Sequence, residues 1–259
     1  MSTRPSSRRS VTRSAFWCSA GFLLLAGCGG ATHTRDPFAY AQRPLAIHDD
    51  GVVLSSPAVA VHALSFAGAS GSRVNAFLLV PKSAGRHPAV LLLHGSGGNR
   101  EDLLLPAAQL ASRGAVALTI SQPNDAQTYR PLVVNARRAL DLLVARRDVD
   151  AHDLGLVGFS LGAQTAAILA GDEPRLKAVG IVAGRGNGVT RYWIHKADED
   201  LYFQAGTHDE RVPRAQLLAL IQAAPGHPKV SWYDAGHGMN RRSFDDQVAW
   251  LARELRLTR

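Results

Sequence analysis

Cysteine is almost missing from this chain. Its two cysteines, Cys18 and Cys28, both fall within the first twenty-eight of 259 residues. From residue 29 onward there is no thiol, which excludes a disulfide framework, a cysteine nucleophile and a zinc–thiolate site from the body of the protein. Long apolar runs are missing too: Ala15–Ala26 spans 12 residues, well short of the roughly 20 a membrane-spanning helix needs. Acidic residues are absent before Asp36, whereas Arg4, Arg8, Arg9 and Arg13 crowd the first fourteen positions. Without those four arginines the formal net charge of +8 falls to +4, with 25 basic residues against 21 acidic. The remaining basic residues are scattered, with no aromatic side chains interleaved as platforms for bases, so the charge does not point to nucleic acid. There is no internal repeat and no low-complexity block. What is present is 46% hydrophobic residues, enough to bury one sizeable core in a single domain.

The N-terminus reads as an address. A polar, arginine-bearing stretch (1–14), the short apolar run Ala15–Ala26 and small residues after it have the layout of a secretory signal peptide. Its ending, Leu25-Ala26-Gly27-Cys28, resembles the lipobox of bacterial lipoproteins. The resemblance implies cleavage before Cys28, a lipid on Cys28, and an extracytoplasmic, membrane-anchored protein at the periplasmic face or cell surface. Residues 29–44 (GGATHTRDPFAYAQRP) show no periodicity. The expected organisation is therefore a signal peptide over 1–27, a lipidated N-terminus and flexible tether over 28–45, and a folded domain over 46–259.

Beyond the tether the pattern alternates between strand and helix. Ala58–Phe66 and Val74–Val80 alternate apolar and polar residues around a turn, predicting an antiparallel pair. Ala89–Leu93 is a continuous apolar run of the kind buried on both faces of a parallel sheet. Further strands are predicted at Ala115–Ile120, Leu154–Phe159, Ala178–Ala183, Leu201–Ala205 and Val230–Tyr233. Helices are predicted at 101–113, closed by Gly114, and at 131–146, 161–170, 214–223 and the C-terminus. The fold class is α/β: a doubly wound, mostly parallel, eight-stranded sheet with helices on both faces. Functional residues then belong in loops at the carboxyl ends of the strands.

Four pieces of chemistry occupy such loops. Gly158-Phe159-Ser160-Leu161-Gly162 is a G-x-S-x-G between a strand and a helix, the setting of a strained turn that exposes a serine oxygen. His94-Gly95-Ser96-Gly97-Gly98 follows the strand AVLLL. Gly206-Thr207-His208-Asp209 follows LYFQA, and Ala235-Gly236-His237-Gly238 follows the last strand. Together they resemble the α/β-hydrolase superfamily, in particular its dienelactone-hydrolase-like branch, over roughly residues 58–256. The resemblance implies Ser160 as nucleophile, Asp209 as orienting acid, with Glu210, Asp198 and Asp200 as rivals, and His237 as general base. It also implies an oxyanion hole from the backbone N–H groups of Ser96 and Leu161. His94 is expected to brace the loop, and His208 to stand aside. The type enzymes of that branch carry a cysteine nucleophile where this chain has serine.

Only about seventeen residues separate Ala183 from Leu201, too few for a lid or cap domain, so the site should be open. Gln122, Tyr129, Tyr192 and Trp193 are candidates for the substrate pocket, with Ser121, Asn124 and Arg185 in neighbouring loops. The leading expectation is hydrolysis of small or medium carboxylic esters without metal or cofactor, with membrane attachment through Cys28 and no nucleic-acid partner. Acyl transfer, thioester or peptide hydrolysis by the same triad, and a non-catalytic hydrolase-fold binding lipoprotein, are the alternatives.

Overall fold

The computed structural model of the protein describes residues 36–124 and 126–257. The signal and lipidation readings, Cys28 included, lie outside the described residues. The described strands are β1 (His48–Ser55), β2 (Val59–Ala67), β3 (Arg73–Pro81), β4 (His87–Leu93), β5 (Val116–Ile120), β6 (Val149–Phe159), β7 (Leu176–Val182), β8 (Asp200–Gly206) and β9 (Lys229–Tyr233). They form one sheet in the order β1-β2-β3-β5-β4-β6-β7-β8-β9. The first three strands join by antiparallel pairing, β3 meets β5 antiparallel, and every pair from β5 to β9 is parallel. This is the expected doubly wound α/β sheet.

Side chains alternating along the central strands feed two separate cores. Leu91, Leu93, Leu118, Leu156, Ile181 and Phe203 face α2 (Tyr129–Val144), α3 (Leu161–Ala170) and α5 (Arg214–Ala223). Val90, Leu92, Ala117, Val157 and Tyr202 face α1 (Leu104–Ser112) and α6 (Arg241–Glu254). The period of two in the strands thus sorts residues between the layers, and both faces are apolar because helices cover both. Gly114 ends α1 as its sequence position suggests. It sits at φ 93, its N–H bonds Ala111 O, and the N–H of Ala115 bonds Leu110 O, which closes a Schellman turn.

Two expectations need correction. The sheet has nine strands, not eight, because His48–Ser55 pairs with β2 as an edge strand. Its sequence hides it: nearly every residue is exposed, so there is no alternation to read, and Gly51 at φ 91 accompanies one of two register shifts. The second concerns the tether. Residues 36–45 are docked on the domain: Phe38 is 6% exposed within the α2/α3 core, its ring 5.5 Å from that of Trp193. The Tyr40 hydroxyl donates to Asp141 at 2.6 Å. Arginines hold the backbone of this stretch by its carbonyl oxygens. Arg130 takes those of Pro37 and Ala39, Arg138 those of Arg43 and Pro44, and Arg73 that of Ala46. A segment held by cations through its carbonyls carries no hydropathy period, which is why it read as a tether. A short helix, α4 (Gly188–Ile194), was also not foreseen; Asn187 starts it with a capping box to Thr190. Among the described residues no helix is long and apolar enough to cross a membrane.

Candidate active site

The turn from β6 into α3 is tight, and the glycines explain how it forms. A Cβ on Gly158 would lie 2.1 Å from Gly162 O, and one on Gly162 would lie 2.2 Å from Leu93 O. No side chain fits at either position, so the pattern G-x-S-x-G is a packing requirement. Between them Ser160 is held at φ 53, ψ −108, a conformation that costs a non-glycine residue about 1–3 kcal/mol. The N–H of Ser160 bonds Val182 O at 2.9 Å and that of Gly162 bonds His94 O at 3.1 Å, pinning the apex to the adjoining strand ends.

The loops after β8 and β9 are locked to each other. Thr207 N–H donates to Tyr233 O at 2.8 Å and His208 N–H to Ala235 O at 3.0 Å, while a Cβ on Gly206 would lie 2.3 Å from Ala235 O. This close approach delivers Asp209 to His237. His237 Nδ1 lies 2.9 and 3.0 Å from the two oxygens of Asp209, and Nε2 lies 2.9 Å from Ser160 Oγ. A carboxylate can only accept, so Nδ1 carries the proton and Nε2 is left to accept from the serine hydroxyl. Burial pushes the Asp209 carboxyl up, but hydrogen bonds from His237, Val212 N–H and Arg211 N–H outweigh it and hold the group below its ordinary value. Asp209 therefore stays ionised. Asp200 opens β8, at the other end of that strand, and Asp198 precedes it, while Glu210 is exposed and His237 Nδ1 bonds Asp209 instead. His208 instead bonds the exposed Asp234 at 2.9 Å.

On the other side of the serine, the loop after β4 is braced by groups from the loop after β5. Asn124 accepts from Gly97 N–H at 2.9 Å and donates to Gly98 O at 3.1 Å. Buried His94 accepts from Gln122 N–H through Nε2 at 2.8 Å, so its Nδ1 carries the proton and donates to Gly95 O at 2.6 Å. With both ring nitrogens committed, His94 is a brace. Among the described residues nothing accepts from the N–H of Ser96 or of Leu161. These two donors remain free for an oxygen of a bound molecule.

The pocket candidates divide. Gln122 is buried beside His94, and its Oε1 has no partner. The Tyr129 hydroxyl bonds Gln164 Oε1 at 2.5 Å and takes a hydrogen bond from Asn187 Nδ2 at 2.8 Å. This polar cluster lies one turn along α3 from Ser160. Gln164 was not foreseen; its position four residues after the serine is the one signal that could have found it. Tyr192 and Trp193 do not belong to the site. The Trp193 backbone presses on Gly171, past the far end of α3 from Ser160; its ring meets Phe38, and the Tyr192 ring stacks edge-on against it. Their direction follows from how α4 docks, which their spacing does not disclose. No group of three or more His, Cys, Asp or Glu side chains among the described residues is arranged to hold a metal ion.

Comparison with known proteins gives this geometry its context. The model of the dienelactone hydrolase family matches residues 74–256. An acetyl xylan esterase from Paenibacillus sp. R4 superposes with a TM-score of 0.71 at 19% identity, over 82% of this chain and 90% of its own. An acetyl xylan esterase from a Thermoanaerobacterium strain gives 0.68 at 16%, over 82% and 89%. A cold-adapted esterase from an Arctic intertidal metagenomic library gives 0.69 at 17%, over 80% and 97%. At these identities the likeness is one of fold. No curated protein sequence matches.

Proposed function

The chain belongs to the dienelactone hydrolase family, and from that premise we propose that it is a serine carboxylic-ester hydrolase. Ser160 is the nucleophile, His237 the general base and Asp209 the orienting acid. The observation that carries the reading is the unbroken hydrogen-bond chain from Ser160 through His237 to Asp209 at a strained strand-to-helix turn.

Ser160 Oγ attacks the acyl carbon as its proton passes to His237 Nε2, and Asp209 stabilises the resulting imidazolium. The negative oxygen of the tetrahedral intermediate is received by the N–H groups of Ser96 and Leu161, fixed before reaction by Asn124 and by the start of α3. Collapse breaks the bond to the alcohol oxygen, which takes the proton from Nε2. Water then gives its proton to Nε2 and attacks the acyl carbon, and the acid leaves as Ser160 recovers its proton.

Between β7 and β8 the one helix is the seven-residue α4, which supports an open site suited to small or medium esters. The acetyl xylan esterases among the structural neighbours make short acyl esters the first substrates to try. The test is a p-nitrophenyl ester chain-length series on wild type and Ser160→Ala, with labelling by a fluorophosphonate probe. Wild type should be labelled and should favour short chains with no rate jump at an interface. A folded Ser160→Ala protein that retains esterase activity would overturn the mechanism. A lipid anchor on Cys28 completes the proposal and rests on Leu25-Ala26-Gly27-Cys28 alone.

A further inference from the structure

Arg138 is 3% exposed and has no carboxylate partner among the described residues. A buried cation costs free energy unless it is compensated, and among the described residues the compensation comes from the carbonyl oxygens of Ala67, Arg43 and Pro44. Those bonds use Nε and Nη2. Nη1 bonds no described residue and is not sealed from solvent. Arg138 lines a cavity of about 400 Å³. Arg43 and Arg130 line it as well, together with Tyr40, Ser70 and Thr128, and among the described residues no carboxylate-bearing side chain does.

The nearby acids are spent elsewhere. Asp36 pairs with Arg137 at 2.9 Å, and Asp141 with Arg175 at 2.8 Å while accepting from Tyr40. The cavity also receives the first turn of α2, a sixteen-residue helix whose Thr128 makes no capping hydrogen bond, so its dipole and N–H groups add to the positive potential.

We infer that this cavity is a binding site for a small oxyanion-bearing ligand, a carboxylate or a phosphate, seated on Arg138 Nη1 and enclosed by Arg43 and Arg130. It is separate from the serine site: none of the residues that line it belongs to the Ser160–His237–Asp209 chain or to the loop after β4. The ligand's charge supplies what Arg138 lacks, and the volume admits a metabolite-sized molecule.

The test is isothermal titration of the full-length protein with succinate and, separately, with inorganic phosphate at matched ionic strength. The reference is Arg43→Glu, at a position whose exposed side chain hydrogen-bonds no described residue, with circular dichroism as the check that it folds. Saturable binding to wild type, weakened about tenfold or more in Arg43→Glu, is expected. Binding of succinate alone, phosphate alone or both identifies the group recognised, and each supports the site. Absence of saturable binding by either anion, or equal binding by Arg43→Glu, would overturn it. Arg138→Gln should abolish binding where it folds.

Discussion

Replacing Asp209 by asparagine exchanges one carboxylate oxygen for an NH₂ group in a site whose donors are already fixed. Oδ1 of Asp209 accepts from Arg211 N–H and Val212 N–H, both at 2.9 Å. An asparagine must point its oxygen at those two donors, because its NH₂ group would face them with hydrogens opposed. The NH₂ then occupies the place of Oδ2, 2.9 Å from His237 Nδ1. It donates to Nδ1 and, against the 3.0 Å contact of the retained oxygen with the same nitrogen, favours the imidazole proton on Nε2, the atom that must accept from Ser160. The wrong tautomer is thus favoured by backbone groups, and the loss should match the template value for such triads, on the order of 10⁴ in kcat, or about 5.4 kcal/mol of barrier. Steady-state kinetics on a short p-nitrophenyl ester, with circular dichroism as the folding check, measures it. KM should move little, since no contact with substrate is altered. A folded Asp209→Asn enzyme within about tenfold of wild type in kcat would refute the reasoning.

Further outcomes are expected elsewhere in the chain. Phe38→Ala should cost about 3 kcal/mol and lower Tm by roughly 6–12 °C, a cavity effect read by thermal unfolding; a change under about 1 kcal/mol would mean that the docked segment is not part of the folded unit. Burial pushes the Glu199 carboxyl up to about 7, against hydrogen bonds from backbone N–H groups and helped by the charges of Asp198 and Asp200. The folded protein then binds this proton more tightly than the unfolded chain. The contribution is present at low pH and is lost as pH rises from the ordinary 4.5 through about 7. Glu199→Gln should accordingly gain stability at about pH 8 and none at about pH 4; equal effects at both would contradict the assignment. Cys28→Ser should abolish incorporation of radiolabelled palmitate and release the protein from membranes, and absence of label in wild type would end the anchor proposal.

The central strands were legible because burial on both faces leaves unbroken apolar runs, and those of β4 and β6 lead directly into loops that meet at Ser160. Ser160 and Asp209, which the structure brings together with His237, each lie just past the end of a buried strand, whereas His237 follows the half-exposed edge strand β9 and was visible through its flanking glycines. Strand β1 could not be found, because an exposed edge strand needs no apolar face: it is held by backbone pairing that any side chain permits. The docking of residues 36–45 depends on Phe38 and on arginines roughly ninety residues distant, a pairing that no local window contains. Trp193 failed as a pocket residue for a related reason. Its aromatic bulk was visible, and so was the local Asn187–Thr190 pair that caps its helix, but the direction of the ring toward Phe38 is set by packing on α3, which is a tertiary fact.

The arginine grip on residues 37–46 has a consequence for how this stretch can change. Carbonyl oxygens are the same in every amino acid, so Arg73, Arg130 and Arg138 hold a path and not a spelling. Substitutions at Gln42 or Ala41 leave the handles untouched, while Phe38, Tyr40 and Leu45 insert side chains that the domain recognises. Homologous chains could therefore rewrite most of this stretch and keep its course, and a protein engineer could graft a foreign leader onto it by preserving Phe38, Tyr40 and Leu45 and the spacing between them.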